Sequence, residues 1–447
     1  MDYDLIIIGS GPAGYVAGIR AGQIGLKTAL IEQSRIGGMC LNWGCIPSKA
    51  VIESAKRFQS LADLAAFGID GIDLNKVSFN WSGALKRSDG IVRRLAQGIE
   101  YLLAKNGVTV IKGSATVSGP TTVTVGKRRL QTKNILIASG SKPAPMPYKI
   151  PKEKVLEIPA LFKLDQLPQN LVIVGSNAHA VELTQFFSMI GKPVVLLVPD
   201  QNLLPDVDPY LTNFIHNAFR KSKIAVYVEP KKVTCKDGRL AVNGEAFDCD
   251  AVINATQRQA VLPELEIGLE LYNGFIIVND YLQTSRENIY AVGDVNGRSR
   301  YAHTASAQGL HAVNVIGGVR QQYRGRNYPI NIYTKPEMAQ IGMTEPELKV
   351  EGIEYKVSEF PLAANGKALT EGQREGLIRL LSEKQYGEVL GVQIIATHAT
   401  DMISEAAVLM QLESTVFDLS KVVHAHPTVS EIYQESGFAA FDQPIHK

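Results

Sequence analysis

The first stretch of the chain carries the pattern that most restricts its fold. A short apolar strand over residues 3–8 runs into Gly9-Ser10-Gly11-Pro12-Ala13-Gly14, a helical segment follows, and a second strand over residues 27–31 ends at Glu32. The three spaced glycines allow a tight turn, close approach of backbone to a pyrophosphate, and close helix–strand packing. Glu32 can accept a hydrogen bond from a ribose hydroxyl. A glycine-rich turn without a nucleotide is the weaker alternative, so the sequence predicts a dinucleotide-binding βαβ unit.

Two cysteines lie just beyond this unit. Cys40 and Cys45 stand within Gly37-Gly38-Met39-Cys40-Leu41-Asn42-Trp43-Gly44-Cys45-Ile46-Pro47-Ser48-Lys49. Because proline favours the first turn of a helix and residues 48–61 have a helical pattern, Cys45 is expected at a helix N-terminus, where a thiolate is stabilised. Such a pair is typical of a disulfide that opens and closes during catalysis. On this stretch alone, two unrelated buried thiols are an equally good interpretation.

The composition favours the redox interpretation indirectly. The 447 residues are 45% hydrophobic and 20% charged with a net charge of +2, which fits two to four globular domains and implies neither a nucleic acid nor an anionic membrane as partner. No apolar run is long enough for a membrane span, and no signal-peptide pattern begins the chain, so a cytoplasmic location is expected. Lasting disulfides are usually catalytic there. Cys235 and Cys249 are expected to be packing residues, and the cysteines and histidines are not spaced for a metal site.

A second strand–turn–helix unit begins with the strand over residues 171–174. Gly175-Ser176-Asn177-Ala178-His179-Ala180 follows it, and only the first of the three glycines is present. Val198 stands at the end of the next strand, where the first unit has Glu32, and Asp200 comes two positions later. The sequence therefore predicts the scaffold of a second nucleotide domain with damaged ligand chemistry.

The remaining chain adds two polar motifs. The strand over residues 289–292 leads to a carboxylate, Asp294, and a third α/β unit without a dinucleotide motif is predicted from about Tyr328. Near its end, His426 precedes Glu431 by five residues, which allows an oriented acid–base pair across a turn. Taken alone, a surface histidine cluster near a helix cap is the commoner explanation.

Together these motifs resemble the FAD-dependent pyridine nucleotide–disulfide oxidoreductases, and among them the dihydrolipoamide dehydrogenases. The resemblance runs along the whole chain and is carried by Gly9-x-Gly11-x-x-Gly14, Gly37 to Lys49, Ala291-Val-Gly-Asp294 and His424-Ala-His426-Pro-Thr-x-Ser-Glu431. It implies an α/β fold with two Rossmann-like dinucleotide-binding domains and a C-terminal α/β dimerisation domain. The implied limits are 1–150 and 271–327 for the two segments of an FAD domain, 151–270 for an NAD-domain-like insert, and 328–447 for the interface domain.

The resemblance also implies roles for individual residues. Cys40 would be the thiol that exchanges with a dithiol substrate, and Cys45 the flavin-facing thiol that forms a charge-transfer complex. His426 would deprotonate the substrate thiol, with Glu431 orienting it. The remaining implied residues act at the flavin. Lys49 and Glu182 match an ion pair beside its N5 edge, and Asp294 matches the residue that binds the ribityl chain. The implied cofactor-binding residues are Gly9, Gly11, Gly14, Glu32, Gly38, Lys49, Gly140 and Asp294.

The implied activity is oxidation of protein-bound dihydrolipoamide through a Cys40–Cys45 disulfide and FAD to NAD. Members are homodimers in which the His–Glu pair of one subunit completes the active site of the other. The implied partner is a lipoyl-bearing protein of a 2-oxo acid dehydrogenase or glycine cleavage complex.

The sequence departs from the family pattern mainly in the second nucleotide domain. The changed positions there are Asn177, Ala178, Ala180, Val198 and Thr256-Gln257-Arg258-Gln259. They predict weak or absent NAD binding, and so a second hypothesis keeps the dithiol reaction but passes electrons to a quinone, a ferredoxin-like protein or another flavoprotein. A third hypothesis is a non-catalytic, FAD-bearing scaffold, against which the intact cysteines and His426–Glu431 argue. Beside the cysteines, Met39 and Trp43 also depart from the family pattern.

Overall fold

The structure, a computed structural model, describes residues 1–325 and 327–447. The chain divides into two compact units, of which the first comprises residues 1–168 with 251–325 and the second residues 169–250 with the described part of 326–447. The domain boundary predicted between residues 327 and 328 lies next to Arg326, which is outside the described residues. The domain limits predicted from the sequence remain predictions.

A largely parallel sheet forms the centre of the first unit. Tyr3–Ile8 lies between Thr28–Glu32 and the second half of Arg128–Ile137, and Ile7 is in register with Leu30 and Leu136. Thr109–Lys112 and Ile289–Ala291 add a parallel strand on either side. Leu5 to Ile8 of the central strand are at most 6% exposed, as expected for parallel strands covered on both faces. The predicted α/β class is confirmed.

Shorter strands extend this sheet or pair beside it. The first half of Arg128–Ile137 pairs with one antiparallel strand, Thr122–Val125, which is followed in the sheet by Ala115–Gly119 and Glu264–Leu265. Two two-stranded sheets lie beside it, Ser141–Pro143 with Arg258–Ala260 and Leu271–Tyr272 with Phe275–Ile276, and Val155–Glu157 pairs in parallel with Ala251–Asn254.

The helix after the first strand depends on one glycine contact. Pro12–Gln23 begins with proline at its first position, where a missing N–H costs nothing. A Cβ added to Gly14 would lie 1.9 Å from the carbonyl oxygen of Gly9, so only glycine lets this helix start so close to the turn. The other helices of the unit are Gly38–Asn42, Cys45–Ser60, Trp81–Lys105, Ile158–Leu161 and Ala302–Ile316, with 3₁₀ turns at Leu61–Phe67, Leu74–Lys76, Lys152–Lys154 and Gly293–Asn296.

The second unit opens with the predicted second strand–turn–helix arrangement. Its parallel strands are Leu171–Val174, Val194–Val198 and Ala225–Val228, its helices are Ala178–Met189 and Pro209–Lys221, and its antiparallel strands are Val233–Lys236, Arg239–Val242 and Glu245–Asp248. The N–H of Gly175 donates to the carbonyl of Leu197, just as the N–H of Gly9 donates to that of Ile31. The two fingerprint turns therefore join their neighbouring strands in the same way.

The C-terminal part of this unit is an antiparallel sheet covered by helices. The strand order is Ile330–Ile332, Glu337–Gly342, Val389–Ala396, Leu377–Glu383 and Tyr355–Pro361. The helices are Glu345–Glu351, Gly366–Thr370, Ala399–Gln411, Val416–Lys421 and Glu431–Ala439, with a 3₁₀ turn at Leu362–Ala364. Among the described residues, none of the helices is long and apolar enough to cross a membrane.

A charge network around the buried Arg379 connects the two parts of the second unit. Arg379, whose side chain is 7% exposed, forms ion pairs with Glu345 and with Glu359. The Asp208 carboxylate accepts the N–H of Glu345 at 2.9 Å, and the guanidinium of Arg379 lies over the ring of Tyr210. Because carboxylates pair with it, the guanidinium of Arg379 can remain buried.

Candidate active site

The two cysteines of the motif form a disulfide in the structure. Cys40 lies in the short helix Gly38–Asn42, Cys45 begins the helix Cys45–Ser60, and their Cα atoms are 4.7 Å apart. A Cβ on Gly44 would lie 3.1 Å from the carbonyl oxygen of Met39, so glycine allows the two helices to approach. Two unrelated buried thiols are thereby excluded. The helix N-terminus at Cys45 favours its thiolate when the disulfide opens.

Hydrogen bonds hold the cysteine segment in place. The Asn42 amide donates to the carbonyls of Ile36 and Gly38 at 2.9 and 3.0 Å. The Ser48 hydroxyl donates to the carbonyl of Cys45 at 3.1 Å. Lys49 follows Ser48 in the same helix and is partly buried. Neither Cys235 nor Cys249 forms a disulfide, and Cys249 is buried.

This segment packs directly against the first fingerprint. A Cβ on Gly38 would lie 2.6 Å from the Cα of Gly11, whereas a Cβ on Gly11 would meet no atom within 4 Å. Gly11 therefore presents bare backbone to open space, where a pyrophosphate can approach. Glu32 accepts hydrogen bonds from the N–H and hydroxyl of Ser10 at 2.9 and 2.6 Å, which keeps its carboxylate beside the turn.

The surroundings of the fingerprint fit a dinucleotide such as FAD. A cleft of about 650 Å³ adjoins Glu32 and is lined in part by Arg35, Arg93 and Lys112, a volume suited to a nucleoside with its phosphate. The buried hydroxyl of Ser139 has no hydrogen-bond partner, and its Cα would be 3.2 Å from a Cβ on Gly9. An unpaired buried hydroxyl at the carboxyl edge of a parallel sheet is what a polar ligand there would satisfy. A Cβ on the predicted cofactor residue Gly140 would also meet no atom.

Asp294 lies in a polar cluster that the sequence did not reveal. Its carboxylate accepts a hydrogen bond from the hydroxyl of Ser141 and lies 3.6 Å from Nε of Arg258, which donates to the same hydroxyl at 2.6 Å. Burial lowers the pKa of Arg258, and the charge of Asp294 opposes this shift. The sequence assigned the segment containing Arg258 to the nucleotide insert. Its guanidinium instead contacts the residue expected at the ribityl chain.

His426 and Glu431 are brought together as predicted. Nδ1 of His426 lies 2.9 Å from Oε1 of Glu431, and the other carboxylate oxygen accepts the N–H of Thr428 at 2.8 Å. Burial tends to raise the pKa of Glu431, but the Thr428 N–H and His426 outweigh it and leave that pKa below its ordinary value. The pair can therefore hold His426 in one orientation.

The two residues of the predicted flavin-edge ion pair lie in different units. Lys49 belongs to the first unit, and Glu182 to the helix Ala178–Met189 of the second. Glu182 is 2% exposed, and its carboxylate accepts the N–H of Tyr333 at 3.0 Å. The ion pair between Lys49 and Glu182 remains a prediction.

The second fingerprint differs from the sequence expectation in one respect. Val198 is fully buried as an apolar residue, but the carboxylate of Asp200 bends back and accepts a hydrogen bond from the Ser176 hydroxyl. A carboxylate is therefore present at this turn, but it belongs to the residue two positions after Val198. Asn177 caps the following helix through a hydrogen bond from the N–H of Ala180 to its side chain at 3.2 Å. This cap occupies an N–H that a pyrophosphate would otherwise bind.

Comparison with known proteins identifies two matching sequence families. Residues 3–309 match the family described as pyridine nucleotide-disulphide oxidoreductase, and residues 328–436 match its dimerisation domain. The dihydrolipoyl dehydrogenase of Bacillus subtilis is 32% identical over 475 residues, covering 100% of this chain and 99% of the relative. The mitochondrial dihydrolipoyl dehydrogenase of Bos taurus is 34% identical over 466 residues, covering 98% and 91%.

Solved structures confirm the fold. The chain superposes on LpdA from Mycobacterium tuberculosis with a TM-score of 0.87 and 24% identity, covering 97% of this chain and 98% of the other. For the HOCl-induced flavoprotein disulfide reductase RclA from Escherichia coli, the TM-score is 0.85 at 23% identity, with 98% and 99% covered. The predicted Rossmann-like domains and C-terminal dimerisation domain are confirmed, and the latter supports a homodimer. The chain belongs to the pyridine nucleotide-disulphide oxidoreductases, which use FAD and typically NAD(P), and is a flavin disulfide oxidoreductase of the dihydrolipoyl dehydrogenase type.

Proposed function

We propose that this protein oxidises the dihydrolipoyl groups of a lipoyl-bearing protein, with Cys40 and Cys45 accepting the electrons and His426 of the other subunit as base. The observation that carries the proposal is a disulfide placed at a helix N-terminus, in a chain that also holds an oriented His426–Glu431 pair. The names of the relatives, dihydrolipoyl dehydrogenase, favour a lipoyl-bearing carrier. The family resemblance implies that this carrier belongs to a 2-oxo acid dehydrogenase or glycine cleavage complex. A cytoplasmic location and the domain limits predicted from sequence belong to the same proposal.

The first step is a proton transfer. A thiolate, and not a thiol, attacks a disulfide, so one substrate thiol must lose its proton. Because Nδ1 of His426 is engaged by Glu431, Nε2 is the nitrogen that takes this proton. Glu431 then stabilises the resulting imidazolium by its negative charge.

Two sulfur exchanges follow. The substrate thiolate attacks Sγ of Cys40, the Cys40–Cys45 bond breaks, and Cys45 leaves as a thiolate stabilised by its helix N-terminus. The second substrate thiol passes its proton to the leaving sulfur of Cys40 and attacks, as a thiolate, the substrate sulfur of the mixed disulfide, so that the bond to Cys40 breaks, a cyclic disulfide is released and Cys40 is left as a thiol. Two electrons have then passed from the substrate to the cysteine pair, and one proton resides on His426 and one on Cys40.

The residues around the fingerprint would bind the cofactor. Gly9, Gly11 and Gly14 would receive the pyrophosphate of FAD and Glu32 its ribose, and the other cofactor residues are Gly38, Lys49, Gly140 and Asp294. Bound FAD would supply a two-electron acceptor for the reduced cysteine pair. Glu182 would pair with Lys49 beside it.

NAD is the final acceptor that the relatives suggest, but the second fingerprint favours a competing candidate. The Asn177 cap engages the N–H of Ala180, and glycines are missing at two of the three positions. These observations favour a non-NAD acceptor, such as a quinone, a ferredoxin-like protein or another flavoprotein, for the same dithiol reaction.

A spectroscopic experiment separates these possibilities. The oxidised, FAD-loaded protein is mixed anaerobically with dihydrolipoamide and, separately, with NADH, and the flavin spectrum is recorded. Long-wavelength charge-transfer absorbance with both supports the NAD-linked enzyme, whereas absorbance with the dithiol alone supports another acceptor. No change with either reagent would exclude both enzymatic functions and leave a scaffold.

A further inference from the structure

The segment that presents His426 contains a second histidine with opposite exposure. The His426 side chain is 80% exposed, whereas that of His424, two residues earlier, is 6% exposed. Residues two apart share a face only in a regular strand, and this segment lies outside any strand. One histidine is thus available to a substrate, and the other is fixed inside the domain.

His424 has polar partners at both ring nitrogens. Nε2 lies 2.7 Å from Oε1 of Glu405, and Nδ1 lies 3.3 Å from the carbonyl oxygen of Val422. Since carboxylate and carbonyl oxygens only accept hydrogen bonds, this arrangement suits a ring that is protonated on both nitrogens. The Glu405 hydrogen bond raises the pKa of His424, although burial acts in the opposite direction.

The same ring joins two helices of the dimerisation domain. Glu405 lies on the helix Ala399–Gln411, and the ring of His424 stacks at 6.4 Å, within 6° of parallel, on that of Tyr433. Tyr433 is fully buried, donates to the carbonyl of Met402 at 2.8 Å, and belongs to the helix that begins with Glu431. His424 therefore contacts the helix that supplies the partner of His426 and the helix packed beside it.

We propose that His424 is a positioning residue whose partly buried ion pair with Glu405 fixes the segment carrying His426, and so sets the orientation of the base. The proposal rests on the proposed role of His426 in dithiol oxidation. His424 itself exchanges no proton with the substrate. Its effect is geometric, because a base displaced by about 1 Å can lose on the order of 10²-fold in rate.

The test uses FAD-loaded dimers of three variants. His424→Leu removes both ring hydrogen bonds, and His424→Gln keeps an amide donor toward Glu405. His398→Leu is the matched control, because His398 also faces a carboxylate, Glu371 at 3.6 Å, but its side chain is 52% exposed. Stopped-flow absorbance measures reduction of each protein by dihydrolipoamide and, separately, by dithionite, which needs no protein base.

We expect His424→Leu to slow reduction by the dithiol about 10- to 100-fold, with kcat reduced more than KM is changed and dithionite reduction unaltered. His424→Gln should recover part of the rate, and His398→Leu should match the wild type. A dithiol rate within twofold of wild type for His424→Leu would overturn the proposal, as would a parallel loss in both reductions. If His424→Leu does not fold, the same two reduction rates are measured for Glu405→Gln, which keeps the shape of the side chain but removes its charge. The same criteria then apply.

Failure of the proposed function is recognised separately. His426→Gln must lose most of the dithiol reaction if His426 is the base. If His426→Gln reacts at the wild-type rate, the catalytic assignment is wrong whatever the His424 variants show. If His426→Gln is slow and His424→Leu is not, only the positioning role is wrong.

Discussion

The carboxylate of Asp200 accepts a hydrogen bond from the hydroxyl of Ser176, at the turn where the chain carries a second nucleotide fingerprint. Glu32 accepts a hydrogen bond from Ser10 in the same way at the first fingerprint. Val198 occupies the strand position that corresponds to Glu32 and is fully buried. The negative charge is therefore retained at the turn, although a different position of the chain provides it.

This relationship predicts how the nucleotide affinity can be changed. Asn177→Gly frees the N–H of Ala180 and removes a side chain where a pyrophosphate would approach, so NAD affinity should rise about tenfold, the value of one hydrogen bond of about 1 to 1.5 kcal/mol. Adding Asp200→Ala should reverse the gain by removing the acceptor for a ribose hydroxyl. Isothermal titration calorimetry with NAD checks both. Equal affinity of the wild type and Asn177→Gly would show that the cap does not limit binding.

The role of the disulfide predicts a selective loss of activity. Cys45→Ser cannot form the Cys40–Cys45 bond, so turnover with dihydrolipoamide should be abolished while the FAD content and melting temperature remain near wild type. Cys235→Ser, which changes a free and partly buried thiol, is the matched control and should retain full activity. Measurable dithiol oxidation by Cys45→Ser would contradict the assignment.

Glu431 predicts a pH dependence of stability. Its pKa is lower in the folded protein than its ordinary value of 4.5. Its contribution to the free energy of unfolding is thus fully present above the unfolded-state pKa and is lost as the pH falls through the lower folded-state pKa. Glu431→Gln should remove this contribution and flatten the acid limb of the stability curve. Urea unfolding between pH 3 and 7 measures it, and an unchanged acid limb in the variant would argue against the paired carboxylate.

Two glycines predict opposite effects of the same substitution. Gly14→Ala would place a Cβ 1.9 Å from the carbonyl oxygen of Gly9, so it should displace the helix, lower the melting temperature and reduce FAD retention. At Gly98, inside the helix Trp81–Lys105, an added Cβ meets no atom, and Gly98→Ala should stabilise by about 0.5 to 1 kcal/mol. Thermal unfolding with absorbance of bound flavin compares them. A wild-type melting temperature for Gly14→Ala would refute the close-packing argument.

The features predicted best from sequence are local ones. The fingerprint glycines, the helix that begins at Cys45, and the pairing of His426 with Glu431 each depend on residues close together in the chain. Spacing along the chain determines their geometry, because one turn or one helix end fixes the backbone between them. The sequence also indicated that the second fingerprint lacks glycines.

Three relationships required the tertiary structure: Asp200 with Ser176, Arg258 with Asp294, and His424 with Glu405. Each joins residues that lie 19 to 36 positions apart in the chain and in different structural elements. Sequence alone thus determined the family chemistry of this protein, namely its redox disulfide and its nucleotide scaffold. Only the folded chain decided which carboxylates and cations meet, because burial makes an unpaired charge costly and so selects partners across the structure.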